Sequence, residues 1–223
     1  MKSKWATEEV GEAHGYFHEG YVHENQERHD KFAEWLKSEY KPIRCSDYPE
    51  PGVFDIGCGP GNLLNSIPKN TRYVGIDCSL SLVNFAADLH GNENTKFFTQ
   101  DIESDISEEV MNQIKACNIC YVDSTITMLQ NPRDVLEGIL IPNFNFIFLQ
   151  RCDFISNLSD PAVRKLGKAK NGVYKSFYRW NGMTSPSIKW HFTYDFFRKI
   201  GEEHGFICDT SPTFGGVLMY RAI

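Results

Sequence analysis

Acidic residues close four short apolar runs in the first 125 residues of the chain, and each acid occupies a position that suits ligand binding. The four acids are Asp55, Asp77, Asp101 and Asp123. A carboxylate accepts hydroxyl and amino protons, and it also attracts a cation. The carboxyl ends of parallel strands meet at one edge of a sheet, where ligands bind. The pattern therefore predicts a binding site that is rich in carboxylates.

A glycine-rich segment follows the first of these acids. Gly57, Gly59 and Gly61 have a G-x-G-x-G spacing, and Asn62 stands where the dinucleotide pattern G-x-G-x-x-G requires its third glycine. Glycines at this density indicate a tight loop with positive φ angles or close contact with a ligand. Asp55, two residues before the loop, does not suit a pyrophosphate. It suits a ligand with positive charge, such as an ammonium or a sulfonium.

The segment 53–62 resembles the first motif of the class I S-adenosylmethionine-dependent methyltransferases, a Rossmann-like family. The resemblance continues through predicted strands at 73–77, 96–102 and 119–123, and it spans roughly residues 50 to 150. Asp77 follows Gly57 at the separation at which an acid meets ribose hydroxyls in doubly wound folds. The resemblance implies that the cofactor is S-adenosyl-L-methionine and that its product is S-adenosyl-L-homocysteine.

The same resemblance assigns roles to individual residues. It implies that Asp101 binds the adenine amino group, that Ile102 packs on the ring, and that Asp123 lies at the edge of the methyl-transfer site. The cofactor contacts implied in this way are Asp55, Gly57, Cys58, Gly59, Gly61, Asp77, Cys78, Asp101, Ile102 and Asp123. The family's N-terminal aromatic segments close over the cofactor, which makes Tyr16 and Tyr21 candidate lid residues. Ordinary packing is the alternative for both tyrosines.

Strand and helix patterns alternate along the chain and predict the fold class. We expect an α/β fold: a Rossmann-like, doubly wound, seven-stranded sheet that is mostly parallel, has an antiparallel C-terminal hairpin strand, and carries helices on both faces. Helices are predicted at 24–40, after Ser79, after Ser107, from Asn131-Pro132, and at 193–204.

We interpret the chain as one methyltransferase domain over residues 1–223. Residues 1–48 form an N-terminal helical or lid segment, and residues 49–150 form the cofactor-binding half. Residues 151–192 form an insertion that lines the acceptor pocket. Residues 193–223 form the closing helix and the strand hairpin.

The insertion supplies the candidate acceptor-binding residues, because long connections at strand ends usually carry function. The candidates are Tyr174, Tyr178, Trp180 and Trp190, with Arg151 at the end of the fifth strand. Their aromatic rings are also consistent with a small satellite core beneath the insertion.

His191 is the preferred general base, since it directly precedes the last helix and its ordinary pKa is close to neutral pH. A structural histidine is the alternative, and Asp123 is the second candidate base. An alcohol or phenol acceptor benefits from a base, whereas an amine need only be unprotonated. A metal-assisted variant is conceivable, in which Asp123 and Asp153 bind Mg²⁺ with a diol. We expect no metal and favour O-methylation of a small molecule over N-methylation.

Composition narrows the function classes. The 223 residues carry a net charge of −6 and show no basic stripe, which disfavours a nucleic-acid partner. Seven cysteines fit a reducing cytoplasm, and the lone Cys117-x-x-Cys120 pair is a weak zinc signal. No apolar run is long enough for a membrane span, and the start of the chain lacks a signal-peptide pattern. We therefore expect a cytoplasmic protein.

Three other functions remain open. A protein side-chain methyltransferase fits the acidic balance and the aromatic insertion. A non-catalytic scaffold that binds S-adenosylmethionine fits the intact glycine loop. An NAD-dependent oxidoreductase fits least, because the glycine spacing and Asp55 differ from those of the dinucleotide pattern.

Overall fold

The computed structural model describes residues 19–40, 51–157, 172–178, 187–211, 213 and 215–221. Chain contacts divide the protein into two compact units, Met1–Tyr121 and Val122–Ile223. We describe each unit in turn.

The described residues of the first unit form three helices and the first strands of the sheet. In chain order its elements are α1 (Glu19–Ser38), β1 (Gly52–Ile56), a 3₁₀ turn (Asn62–Asn65), β2 (Arg72–Asp77), α2 (Leu80–His90), β3 (Thr95–Thr99), α3 (Glu108–Lys115) and β4 (Ile119–Asp123), which continues past the unit boundary. Strand β2 pairs in parallel with β1 on one side and with β3 on the other. The register brings Asp55 of β1 opposite Gly75 of β2.

Helices α2 and α3 begin at the serines that the sequence predicts. The Ser79 hydroxyl accepts a hydrogen bond from the Leu82 amide, and the Ser107 hydroxyl accepts one from the Val110 amide. These side chains satisfy amides that have no partner within the helix. Leu82, Val83 and Ala86 are buried on α2, whereas Leu89 in its last turn is 61% exposed.

Helix α1 packs through a strongly apolar face. Phe32, Trp35 and Leu36 are buried on it. After the helix ends, the buried Tyr40 hydroxyl accepts a hydrogen bond of 2.5 Å from the Asn118 side chain. The helix begins at Glu19, earlier than the predicted start at residue 24.

The described residues of the second unit form the other strands and helices. Its elements are a 3₁₀ turn (Thr125–Thr127), α4 (Pro132–Val135), a π-helical segment (Leu136–Leu140), α5 (Ile141–Asn143), β5 (Phe146–Gln150), a 3₁₀ turn (Ile155–Asn157), β6 (Val173–Tyr178), β7 (Ser187–Phe192), α6 (Tyr194–Glu203), β8 (Phe206–Asp209) and β9 (Val217–Arg221). Strand β9 pairs antiparallel with β5 and with β8. Strands β6 and β7 form a separate antiparallel pair within the predicted insertion.

The π-helical segment is a feature that the sequence patterns do not predict. Its widened turn is closed by a hydrogen bond from the Ile141 amide to the Leu136 carbonyl. Pro142 lies just beyond, and proline in a helix lacks an amide and clashes with the carbonyl four residues earlier. The wider turn accommodates Pro142 without breaking the helical path.

The strands confirm the predicted fold class. The seven-stranded sheet has the order β3-β2-β1-β4-β5-β9-β8 and is mostly parallel, with antiparallel strands at its C-terminal edge. Within the described residues, none of the helices combines the length and the apolar character that crossing a bilayer requires.

Candidate functional site

The glycine loop after β1 has the backbone that its sequence predicts. The φ angles of Gly57, Gly59 and Gly61 are 73°, 53° and 80°, all in the left-handed region that favours glycine. The amides of Gly57 and Cys58 both donate to the Ile76 carbonyl, at 2.8 and 3.0 Å, and the Gly61 amide donates to the Cys58 carbonyl at 3.0 Å. The loop is therefore folded back against the end of β2.

Asp77 completes the bonding of this loop. Its Oδ2 accepts a hydrogen bond of 3.0 Å from the Gly59 amide, and its Oδ1 accepts one of 2.9 Å from the Ser79 amide at the start of α2. Burial raises the pKa of the Asp77 carboxyl above its usual value, and these amides and the Cys78 thiol act in the opposite direction. Asp77 thus ties the glycine loop to α2, in addition to the ribose role implied by the resemblance.

Every backbone N–H from Gly57 to Gly61 donates a hydrogen bond within the protein. Gly57, Cys58, Gly59 and Gly61 each donate to an acceptor within the protein, and Pro60 has no amide hydrogen. Dinucleotide loops and helix N-termini hold phosphates with such amides. Residues 57–61 therefore offer no free amide to a phosphate, and the carboxylates of Asp55 and Asp77 beside them suit a cation.

Glycines around the loop differ in the space that surrounds them. A Cβ at Gly59 would meet nothing within 4 Å, so this part of the loop faces open space that a ligand can enter. A Cβ at Gly61 would lie 2.9 Å from the His90 ring. A Cβ at Gly75 would lie 2.9 Å from the sulfur of Cys58, so Gly75 makes room beneath the loop. The sequence analysis did not single out Gly75; a glycine inside a strand was the available signal.

Asp55 lies beneath the loop and is 4% exposed. Its Oδ2 accepts a hydrogen bond of 2.6 Å from the hydroxyl of Tyr73, which is fully buried on β2. Burial and the Asp55 charge raise the pKa of Tyr73 well above its usual value, so the phenol stays a neutral donor. The attraction of Asp55 for a cationic ligand stays a prediction, and Tyr73 is a partner that sequence reasoning missed.

Asp101 and Ile102 follow β3, as the resemblance requires. The Asp101 Oδ1 accepts a hydrogen bond of 3.0 Å from the Glu103 amide, which fixes the turn, and Ile102 is buried. The Gln100 amide donates to the Asp77 carbonyl at 2.9 Å and holds the ends of β2 and β3 together. The adenine contacts of this pair stay predictions.

In the second unit, Asp123 and Arg151 form an ion pair. The Arg151 Nε donates to Asp123 Oδ1 at 2.6 Å, and the Asp123 side chain is 12% exposed. The sequence assigned these residues separate roles and did not predict their contact. Asp153, the other acid of the magnesium alternative, pairs with Lys189 at 2.8 Å. The carboxylates of Asp123 and Asp153 are therefore each paired with a basic side chain of the protein.

Backbone strain is concentrated near the same residues. Among the described residues, the non-glycine positions with positive φ are Ser124, Arg151 and Asp153, at 66°, 49° and 47°. Each such conformation costs about 1–3 kcal/mol and persists only where its surroundings hold it. The Ser124 amide is held by the Gln150 carbonyl at 3.0 Å.

His191 lies on β7, opposite Tyr174 of β6, and is 7% exposed. Its Nε2 is 2.7 Å from the Ser176 hydroxyl, and its Nδ1 is buried without a hydrogen-bond partner among the described residues. Burial lowers the pKa of His191 below its usual value. The ring is therefore neutral at pH 7, but its Nδ1 is sealed in this conformation and must become accessible to act as a base.

Trp190 is anchored within the second unit. Its indole Nε1 donates to the Leu129 carbonyl at 2.6 Å, and the Lys175 ammonium lies 5.6 Å from the centre of its ring. The remaining aromatic candidates are not described in full. Tyr16 and Trp180 lie outside the described residues; Tyr21 and Tyr178 lie in α1 and β6, but their side chains are not described.

One further cluster in the described part of the chain has metal-ligand chemistry. Glu137, Glu203 and His204 bring possible ligand atoms within 4.8 Å of one another. Arg133 already donates to both glutamates, at 2.7 and 3.3 Å. Sequence patterns gave no signal for this cluster, because Glu137 is distant along the chain from Glu203 and His204.

Comparison with known proteins finds likeness both in sequence and in structure. No family model matches the chain. The chain is 24% identical over 155 residues to the carboxy-S-adenosyl-L-methionine synthase of Staphylococcus epidermidis, and the match covers 61% of this chain. It spans 58% of that relative's length.

Two solved structures illustrate the likeness in fold. The magnesium protoporphyrin IX methyltransferase of Synechocystis PCC 6803 with bound SAH has a TM-score of 0.56 at 14% identity, over 89% of this chain and 84% of that one. An amino pentose methyltransferase from Micromonospora echinaspora with bound SAM has a TM-score of 0.59 at 11% identity, over 92% and 98%. At these identities the likeness is one of fold.

Proposed function

We propose that this chain, which has the fold of the class I S-adenosylmethionine-dependent methyltransferases, is a methyltransferase for a small-molecule acceptor. The observation that carries the proposal is the glycine loop, whose amides are all used within the protein while Asp55 and Asp77 lie beside it. A sulfonium cofactor with ribose hydroxyls fits this arrangement, and a pyrophosphate does not.

Each residue near the loop has a task in this proposal. Asp77 accepts the ribose hydroxyls while it holds Gly59 in place. Asp101 accepts the adenine amino group, and Ile102 packs on the ring. Asp55 provides negative charge beneath the loop for the cationic end of the cofactor.

The donor arrives with an activated methyl group, so the chain contributes mainly position and desolvation. Alignment of the acceptor with the S–CH₃ bond can lower the barrier by about 7–11 kcal/mol. We assign acceptor binding to the second unit, where Arg151, Tyr174 and Trp190 are held by the contacts described above.

We favour a hydroxyl acceptor, with His191 as the group that takes its proton. A neutral imidazole is required for this, and burial of His191 lowers its pKa in the required direction. Because Nδ1 is sealed, the proposal requires that the β6–β7 pair moves when the acceptor binds. Asp123 is the second candidate base. A protein side chain is the alternative acceptor.

A second candidate function follows from the curated relative, whose name describes synthesis of carboxy-S-adenosyl-L-methionine. In that case the chain modifies the cofactor itself and does not transfer its methyl group to another molecule. Mass spectrometry of the cofactor after incubation with cell metabolites separates the two: a demethylated product supports methyl transfer, and a carboxylated cofactor supports the second candidate.

The first test is calorimetric titration. We expect binding of S-adenosylmethionine and S-adenosylhomocysteine, and no appreciable binding of NAD. A preference for NAD overturns the proposal as a whole. Binding of S-adenosylmethionine without turnover in the presence of cell metabolites favours a non-catalytic scaffold.

A further inference from the structure

The neutral ring of His191 carries one proton, and only the ring nitrogen without that proton can act as a base. We propose that Ser176 holds the proton on Nε2 and so makes Nδ1 the basic atom of His191. This inference rests on the proposed function, in which His191 takes a proton from a hydroxyl acceptor. It adds a positioning residue that the sequence analysis did not identify.

The pairing of β6 with β7 places the Ser176 hydroxyl beside the imidazole. Ser176 lies opposite Lys189, and His191 lies two residues farther along β7. Diagonal neighbours of this kind share one face of an antiparallel pair. The Ser176 hydroxyl is accordingly 2.7 Å from His191 Nε2. Lys175 and Trp190 lie on the opposite face, where the ammonium is 5.6 Å from the centre of the indole ring.

A count of hydrogen bonds favours the proton on Nε2. The single hydroxyl hydrogen of Ser176 has two acceptors within reach: His191 Nε2 at 2.7 Å and the Lys189 carbonyl at 3.4 Å. If Nε2 carries the proton, it donates to the Ser176 oxygen while the hydroxyl donates to the carbonyl, so both bonds form. If Nδ1 carries the proton, the hydroxyl must donate to Nε2, and the bond to the carbonyl is lost.

The other ring nitrogen favours the same tautomer. His191 is 7% exposed, and its Nδ1 has no hydrogen-bond partner among the described residues. A proton on Nδ1 would therefore be a buried donor without an acceptor, and orphaned buried N–H groups are rarer in proteins than under-satisfied acceptors. The lone pair on Nδ1 is instead a place for an incoming O–H group, once the β6–β7 pair admits the acceptor.

Two charged groups near the ring oppose each other. Asp153 raises the pKa of His191 and Lys189 lowers it, while burial, the largest cause, lowers it. The ammonium of Lys189 is 2.8 Å from the Asp153 carboxylate, so each charge is compensated by the other. Within the described part of the chain the ring has no hydrogen bond to a carboxylate, and the choice of tautomer therefore falls to Ser176.

This tautomer suits the proposed reaction. The acceptor oxygen forms a bond to the methyl carbon as the S–CH₃ bond breaks, and the electron pair of that bond stays on sulfur, which becomes a neutral thioether. The hydroxyl proton passes to Nδ1, so the positive charge that leaves the sulfur appears on the imidazolium. Its Nε2–H still donates to the Ser176 oxygen, whose hydroxyl still donates to the Lys189 carbonyl.

The first test reads the tautomer directly by nitrogen NMR of protein labelled with ¹⁵N in histidine. At about pH 8 the ring is neutral, and the His191 signals are those that His191→Ala removes. We expect a protonated Nε2 and an unprotonated Nδ1. Ser176→Ala should shift the ratio of tautomers toward Nδ1–H by about 3- to 10-fold. Ser176→Thr keeps the hydroxyl and should preserve the wild-type ratio. Ser211→Ala, at an exposed serine of the same unit, is the control and should change nothing.

The second test follows turnover of S-adenosylmethionine in the presence of cell metabolites. Ser176→Ala should lower turnover about 3- to 10-fold and leave the affinity for S-adenosylhomocysteine unchanged. Ser176→Thr should restore turnover. In the His191→Ala background, Ser176→Ala should cause no further loss, because a positioning residue acts only through the group that it positions.

Three outcomes overturn the inference. They are a wild-type protein with the proton on Nδ1, an unchanged ratio of tautomers in Ser176→Ala, and an equal loss of turnover when Ser176→Ala is added to His191→Ala. The last result assigns Ser176 a structural role in the β6–β7 pair. Failure of the wild-type protein to bind S-adenosylmethionine contradicts the proposed function instead, and the NMR spectrum still decides whether Ser176 sets the tautomer.

Discussion

Removal of the Asp77 carboxylate tests the cofactor site most directly. Asp77→Ala deletes the acceptor for the Gly59 and Ser79 amides, which it holds at 3.0 and 2.9 Å. It also deletes the proposed acceptor for two ribose hydroxyls. The substitution therefore affects both the shape of the loop and its contact with the ligand.

The expected magnitude follows from the two ribose bonds. A hydrogen bond to a charged group contributes about 1.5–3 kcal/mol, so two of them contribute about 3–6 kcal/mol. That range corresponds to an affinity loss of about 10²- to 10⁴-fold. Part of the Asp77 contribution is offset by its burial, which raises its pKa and makes its charged form costlier. The lower half of the range is therefore expected.

The assay is calorimetric titration with S-adenosylhomocysteine, with thermal unfolding followed in parallel. Asp88→Ala is the matched control, because Asp88 is an exposed acid on α2 and its loss removes the same charge nearby. Asp77→Ala should unfold at a lower temperature than the control, since two amides lose a charged acceptor. Unchanged affinity in a folded Asp77→Ala protein would refute the placement of the ligand at this loop.

The remaining predictions concern three positions. Gly57→Val should abolish cofactor binding, because φ is 73° there and a branched side chain does not adopt that conformation; titration checks it. Gly75→Ala should cost about 1–3 kcal/mol of stability by overpacking against Cys58, measured by denaturant unfolding. His191→Ala should lower turnover of a hydroxyl acceptor about 10²- to 10⁴-fold without changing cofactor affinity, and full turnover excludes the base role. Because burial lowers the pKa of His191, the unfolded chain takes up the proton first as pH falls below about 6.5. Stability should therefore drop with acid, and the drop should be smaller in His191→Ala.

Local sequence signals predicted the glycine loop and two helix starts of the first unit. Glycine spacing predicted the positive φ angles of the loop, and Ser79 and Ser107 predicted the starts of two helices, because such preferences act within a few residues. The phenol that bonds Asp55 could not be found in this way. Tyr73 reaches Asp55 only through the β1–β2 register, which places Val53 opposite Tyr73 and Asp55 two residues on.

Contacts between distant residues limited the prediction of the second unit. The hydrogen bond between Ser176 and His191 depends on the pairing of β6 with β7, which no local pattern specifies. The π-helical segment before Pro142 was also missed, although proline in a helix was the available signal.

Three residues with strained backbone bear on the function proposed for the second unit. Ser124, Arg151 and Asp153 together hold about 3–9 kcal/mol of backbone strain, at about 1–3 kcal/mol each. Selection for stability alone favours glycine, asparagine or aspartate at positive φ, since those residues adopt it at lower cost. Arg151 is not of this kind and instead provides a charge, and the ion pairs of Arg151 with Asp123 and of Asp153 with Lys189 hold these charged groups in fixed directions. Strain that persists at charged, oriented side chains is characteristic of ligand-binding positions, and this supports the assignment of acceptor binding to the strand ends of the second unit.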